Sequence, residues 1–190
     1  MLCNQNKVYK PALERAVKQA ENNQANLVVV DVAERIASAG IGPDGRPVFS
    51  DLQAAQENTC AQRLTALVDP YRKRIDIKIK VLRGSLHLEV IREVIRHQHD
   101  ILIKVPESSD WLNRLFGSND MHLLRKCPCP VWMVKPDSTA SSRCILAPVD
   151  IAETDSPAEY ESSQSLNRQI VDMAWYLTRL DGAQLKRAFH

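Results

Sequence analysis

No apolar run in this sequence approaches the roughly 20 residues that a membrane-spanning helix requires, so no membrane association is expected. Charge of one sign is lacking too. Its 25 basic and 23 acidic residues leave a net +2, and without a polyelectrolyte signal no nucleic-acid partner is expected. Met1-Leu2-Cys3-Asn4 has no signal-peptide character, which points to a cytoplasmic protein whose five cysteines are reduced thiols. An opening strand is missing as well: residues 1–10 hold no credible one, although a parallel α/β domain normally begins with a strand feeding its first helix.

What is present is enough for a core. With 190 residues, 44% of them hydrophobic, the chain can build one domain, or one domain and part of a second. Leu13, Ala16, Val17 and Ala20 form one stripe of a helix over 11–24. Leu27 to Val30 is a continuous apolar run, the mark of a strand covered on both faces. The Gly- and Pro-rich stretch 39–50 reads as a loop. A long helix follows over 51–74, with Cys60, Leu64, Leu67, Val68 and Tyr71 on one face and Pro70 shortening its end. Ile75, Ile77, Ile79 and Val81 alternate with polar residues, as expected of a half-exposed strand at a sheet edge. Gly84-Ser85 is expected to cap a helix whose stripe is Leu86, Val90, Ile91, Val94 and Ile95.

The stretch from His99 to Pro136 organises the rest. It reads as a buried strand over 101–105, a polar loop, Gly117-Ser118 capping a short helix, a Pro128–Pro130 stop, and a second buried strand over 131–134. In an α/β protein, phosphate would be held at that loop and helix N-terminus. After a polar linker, Cys144 to Asp150 reads as a strand, 163–180 as a helix and 185–189 as a further strand. The fold class is therefore α/β, a doubly wound parallel sheet. A first domain over 1–136 is followed by a linker over 137–143 and a partial strand-helix-strand repeat over 144–190, too small to bury a parallel sheet alone.

These residues resemble the universal stress protein family, and in particular the N-terminal part of a tandem, E-type member truncated at both ends. The segment from His122 to Lys135, HLLRKCPCPVWMVK, carries most of the resemblance, with support from His99 to Lys104, Pro11 to Val17 and Ile77 to Val81. The resemblance implies a sheet of order 3-2-1-4-5 with the first strand of the first repeat missing. It also implies a non-enzymatic stress-response protein acting through protein contacts or a small ligand.

ATP-binding relatives carry Gly, two residues, Gly, nine residues, then Gly followed by Ser or Thr. On that pattern Gly117-Ser118 is kept, while Lys104 and Glu107 replace the two earlier glycines. Glycine would let backbone N–H groups approach phosphate, and neither Lys nor Glu offers that freedom. Arg114 would be a further anion donor. Asp150 matches the family's adenine-contacting Asp, but in the incomplete repeat. These positions read as a vestigial nucleotide loop. No cofactor is therefore expected, ATP or another nucleotide being the minor alternative, with a site assembled only in a dimer.

The resemblance also implies pairing through strand five, which makes Val131 and Met133 candidate contacts of a homodimer. Strand exchange is a variant in which Ile145 to Val149 fills the empty central slot in cis or between chains. A further partner, protein or small molecule, is expected without being identified. Other constellations carry less. Cys127 and Cys129 with His122 fall short of the four ligands and usual spacing of a zinc site. His97 and His99, or Ser108, Ser109 and Asp110, form no catalytic spacing. Arg72 to Arg74 fit a solvated helix end.

Overall fold

A computed structural model describes residues 1–3, 10–36, 48–107, 119–135, 144–150 and 156–189. The chain divides into two compact units, Met1–Ser138 and Thr139–His190.

In the first unit α1 (Lys10–Asn23) leads to β1 (Leu27–Ala33), and α2 (Val48–Val68) runs into one 3₁₀ turn, Asp69–Tyr71. Then come β2 (Ile77–Arg83), α3 (Leu86–His97), β3 (Leu102–Lys104), α4 (Asn119–Lys126) and β4 (Val131–Met133). β1 and β2 pair in parallel, Leu27 opposite Ile77 through Ala33 opposite Arg83. β3 and β4 pair likewise, Leu102 opposite Val131.

Between these two pairs lie the first three residues of the chain. Leu2 bridges in parallel to Val30 of β1 and to Lys104 of β3. Its N–H donates to the Ile103 carbonyl at 2.9 Å, the Cys3 N–H to Val30 at 2.7 Å, and the Val30 N–H to Met1 at 2.8 Å. The Met1 amine donates to the Val28 carbonyl at 2.7 Å. The strands thus run β2, β1, the Leu2 bridge, β3, β4. This corrects the expectation that residues 1–10 supply no central piece: among the described residues, Leu2 bridges the two pairs. Three residues are too short to show a period of two, so nothing in the sequence marked them.

Alternation along the strands sends side chains to opposite faces and builds two cores. Met1, Val29 and Ile103 pack with Leu13, Val17 and Leu64 of α1 and α2. Leu2, Val30, Val32 and Leu102 pack with Val90 of α3 and Leu123 of α4. On α1 the whole expected stripe, Leu13, Ala16, Val17 and Ala20, is buried. On α3 the stripe is narrower than expected, since Val90 and Val94 are buried but Ile95 is 62% exposed. Ser85 stands at the α3 N-cap, yet its hydroxyl makes no capping bond. At the end of β1, buried Asp31 accepts the Val32 N–H at 2.9 Å and pairs with the Arg63 guanidinium from α2.

The second unit comprises β5 (Cys144–Val149), α5 (Pro157–Asp181) and β6 (Gln184–Phe189). β5 and β6 are parallel, Cys144 opposite Gln184 through Val149 opposite Phe189. Ser156 caps α5 by accepting from the Glu159 N–H, and Gly182 ends it with φ +63°, a left-handed conformation that favours glycine. α5 begins earlier than the expected residue 163. Leu166, placed on its apolar face by periodicity, is 56% exposed.

Candidate functional site

β3 ends on a lysine that does not reach water. Only 1% of Lys104 is exposed. Its ammonium donates to Asp120 Oδ1 at 2.5 Å and to the Val105 carbonyl at 3.2 Å. Burying an ammonium costs several kcal/mol by rough estimate unless a partner compensates it, and here the partner is an almost equally buried carboxylate. Asp120 sits in the first turn of α4, where the helix dipole favours negative charge. Its other oxygen, Oδ2, accepts the backbone N–H of Glu107 at 2.6 Å.

The Glu107 side chain continues the network. Its Oε1 accepts from Asn119 Nδ2 at 3.0 Å. Asn119 Oδ1 lies 2.9 Å from His87 Nδ1, which must donate because an amide oxygen only accepts. The His87 ring stacks on His122 with centroids 4.4 Å apart. The end of β3, the start of α3 and the start of α4 are thereby tied together. The Asp120 carboxylate does for this loop what a phosphate oxygen would do: it neutralises a cation and takes up a loop N–H.

Of the residues expected from sequence, Lys104 and Glu107 meet on Asp120. Arg114, Gly117 and Ser118 lie outside the described residues, as do Ser108 to Asp110. Asp150 belongs to the second unit, exposed at the end of β5, where Asn167 of α5 clasps its backbone: the Asp150 N–H donates to Oδ1 at 2.9 Å and its carbonyl accepts from Nδ2 at 2.6 Å. Val131 and Met133 are half-buried on β4, which pairs with β3 alone among the described residues. Sequence reasoning missed Asp120, Asn119 and His87. One signal for Asp120 was available, because a lysine inside an apolar strand needs a carboxylate somewhere.

Beside this network a cleft of about 830 Å³ opens at the carboxyl ends of β1 and β2. Glu34, Arg35, Ser85, Glu89, Arg92 and Asn119 are among its lining residues. Gly84 in its wall has φ +140°, a conformation that favours glycine, and a Cβ there would stand 3.0 Å from Glu89 Cγ, which would have to shift slightly. Glu89 is held by Arg92 at 2.5 Å.

A second charged cluster lies between β2 and α3. Glu93, 4% exposed, accepts from Lys80 Nζ at 2.6 Å, with His97 Nε2 at 3.6 Å and His99 Nε2 at 3.5 Å. Burial alone would raise the Glu93 carboxyl, but the Lys80 bond and charge, with His99 and His97, outweigh it and hold it below the usual value of 4.5. A depressed carboxyl stabilises the fold above its unfolded value, and that contribution is lost as pH falls through the folded one. Wild-type thermal stability should therefore fall from pH 4.5 downward, and Glu93→Gln should flatten part of that limb. Parallel acid profiles for the two proteins would remove Glu93 from the account.

Known proteins resemble this chain in sequence and in shape. The sequence pattern of the universal stress protein family matches residues 6–135. Universal stress protein E of Photorhabdus laumondii is 31% identical over 153 residues, covering 77% of this chain and 48% of that protein. Universal stress protein E of Escherichia coli K12 is 30% identical over 176 residues, covering 87% and 53% respectively. The chain spans about half the length of the curated relatives it matches. Among solved structures, a functionally unknown protein from Pseudomonas aeruginosa PAO1 superposes with a TM-score of 0.66 at 24% identity, over 98% of this chain and 58% of that one. Universal stress protein UspA from Lactobacillus plantarum gives 0.56 at 19% identity, over 70% and 94%. These two likenesses carry the fold, a helix-covered parallel α/β sheet.

Proposed function

The chain belongs to the universal stress protein family, and from that membership we propose that it works in the cytoplasm as a non-enzymatic stress-response protein, through protein contacts or a small ligand other than a nucleotide. One observation carries the nucleotide part of this reading. The Asp120 carboxylate holds both the Lys104 ammonium and the Glu107 N–H, the donors that the two altered motif positions could have offered a phosphate. An incoming triphosphate would have to displace a buried, paired carboxylate while bringing its own charge beside it. Desolvated like charges at that distance repel strongly.

The mixed charge of the cleft, with Glu34 and Glu89 beside Arg35 and Arg92, suits a polar ligand of low net charge better than a polyanion. The side of β4 that is unpaired among the described residues, with half-buried Val131 and Met133, supports pairing between two copies along that edge. Native mass spectrometry of the purified protein tests the reading. Protein free of nucleotide is the expected result, and a stoichiometric adenine nucleotide carried through purification would overturn it.

A further inference from the structure

Two thiols face each other at the turn between α4 and β4. Cys127 Sγ and Cys129 Sγ are 3.6 Å apart, and both residues are half-buried. The turn that holds them is fixed at both ends. The Cys127 N–H donates to the Leu123 carbonyl at 2.9 Å, as the last bond of the helix. The Pro130 carbonyl accepts the Leu102 N–H at 2.9 Å, which anchors the other end to β3. Pro128 between the cysteines locks its own φ near about −65°. Both sulfurs pack against the apolar cluster that contains Leu2, Leu102 and Val131. Cys3 and Cys60, by contrast, are buried, and Cys144 is exposed on β5.

We propose that Cys127 and Cys129 form a thiol–disulfide exchange site, at which a low-molecular-weight disulfide of the glutathione type converts the pair reversibly into an internal disulfide. The geometry supports ring closure. Two peptide links, each about 3.8 Å between Cα atoms, hold the pair near the roughly 4.4–6.8 Å span of a disulfide, and side-chain rotation alone must bring the sulfurs to about 2.05 Å. The order of attack follows from the surroundings. Burial first, and then the bond to Cys127, push the Cys129 thiol above its usual range. Cys127 is therefore the attacking group and Cys129 the resolving one.

In the first step the Cys127 thiolate attacks one sulfur of the small disulfide. A protein–small-molecule S–S bond forms, and the second sulfur leaves as thiolate. In the second step Cys129 gives up its proton to that thiolate and attacks the Cys127 sulfur, expelling the remaining thiolate, which is protonated from solvent. The protein loses two electrons and two protons, and the small disulfide is reduced to two thiols. An excess of the small thiol reverses both steps.

The test uses the full chain with Cys144→Ser, so that the exposed thiol does not compete. The reduced protein is incubated with oxidised glutathione, quenched by alkylation and mapped by peptide mass spectrometry. The expected product is a peptide with Cys127 joined to Cys129, reopened by reduced glutathione, with Cys3 and Cys60 still alkylated. Cys129→Ser should instead accumulate a persistent glutathione adduct on Cys127, while Cys127→Ser should react much more slowly. If both cysteines remain alkylatable, or carry only stable mixed or intermolecular disulfides in the parent protein, the proposal is overturned. Circular dichroism of each variant before oxidation shows that the fold is intact.

Discussion

Asp120→Ala lowers the free energy of unfolding by about 3–5 kcal/mol, the range for removing one partner of a buried ion pair. The loss comes from what stays behind. Lys104, 1% exposed, would keep only its 3.2 Å bond to the Val105 carbonyl, and the Glu107 N–H would lose its acceptor. Lys104→Ala is expected to cost about as much, for the mirror-image reason that it strands the Asp120 carboxylate. The double variant Lys104→Met with Asp120→Leu should recover much of the loss, because apolar groups of similar volume replace a buried pair at little net cost. Urea unfolding of the wild type, Lys104→Met, Asp120→Leu and that double variant makes the cycle, and a coupling energy near zero would contradict the pairing.

Asp120→Ala also opens the site to a free anion. Inorganic phosphate should raise the melting temperature of that variant over chloride at matched ionic strength, by the ordinary linkage of a ligand that binds only the folded state. Wild type should show no such difference, since its own carboxylate occupies the position. An equal response in both proteins would place phosphate elsewhere.

Leu2→Ala is the second large effect. Leu2 is 1% exposed and packs against Val30, Leu102 and Leu123 in the core beneath α3 and α4. Truncating a buried leucine removes about 2–5 kcal/mol, depending on how far the site collapses. The urea midpoint should fall by that equivalent with the slope unchanged. A further consequence separates this site from an ordinary core position. Leu2 is the bridge to β1 on one side and β3 on the other, so loosening it exposes two strand edges to other chains. Leu2→Ala should therefore associate at concentrations where Leu123→Ala, equally buried but on a helix, does not. A loss below about 0.5 kcal/mol, the size of an ordinary surface change, would show that residues 1–3 do not hold the centre of the sheet.

The parts of the fold with a period were legible. The α1 stripe and the apolar run of β1 repeat a pattern often enough to be read, and both form the elements expected. The alternation in β2 marked an edge strand, and β2 pairs with β1 alone among the described residues. Periodicity overreached at Ile95 and Leu166, where helices bury a narrower arc than the run of apolar residues suggested.

The central piece of the sheet was invisible for a different reason. Met1–Cys3 has no pattern of its own and is defined by the carbonyls and N–H groups of β1 and β3 on its flanks. The site was half legible. Motif spacing singled out Lys104 and Glu107, but their shared partner stands 16 and 13 residues further on. Only folding brings the first turn of α4 against the end of β3. No local rule selects Asp120 among the acidic residues of the chain.

Calorimetric titration of MgATP into the full 190-residue chain tests the central claim most directly. If the Asp120 carboxylate fills the anion position, no saturable heat appears up to about millimolar nucleotide, which bounds any affinity at roughly −4 kcal/mol. A saturable one-to-one isotherm with a Kd near micromolar, about −8 kcal/mol, would contradict it.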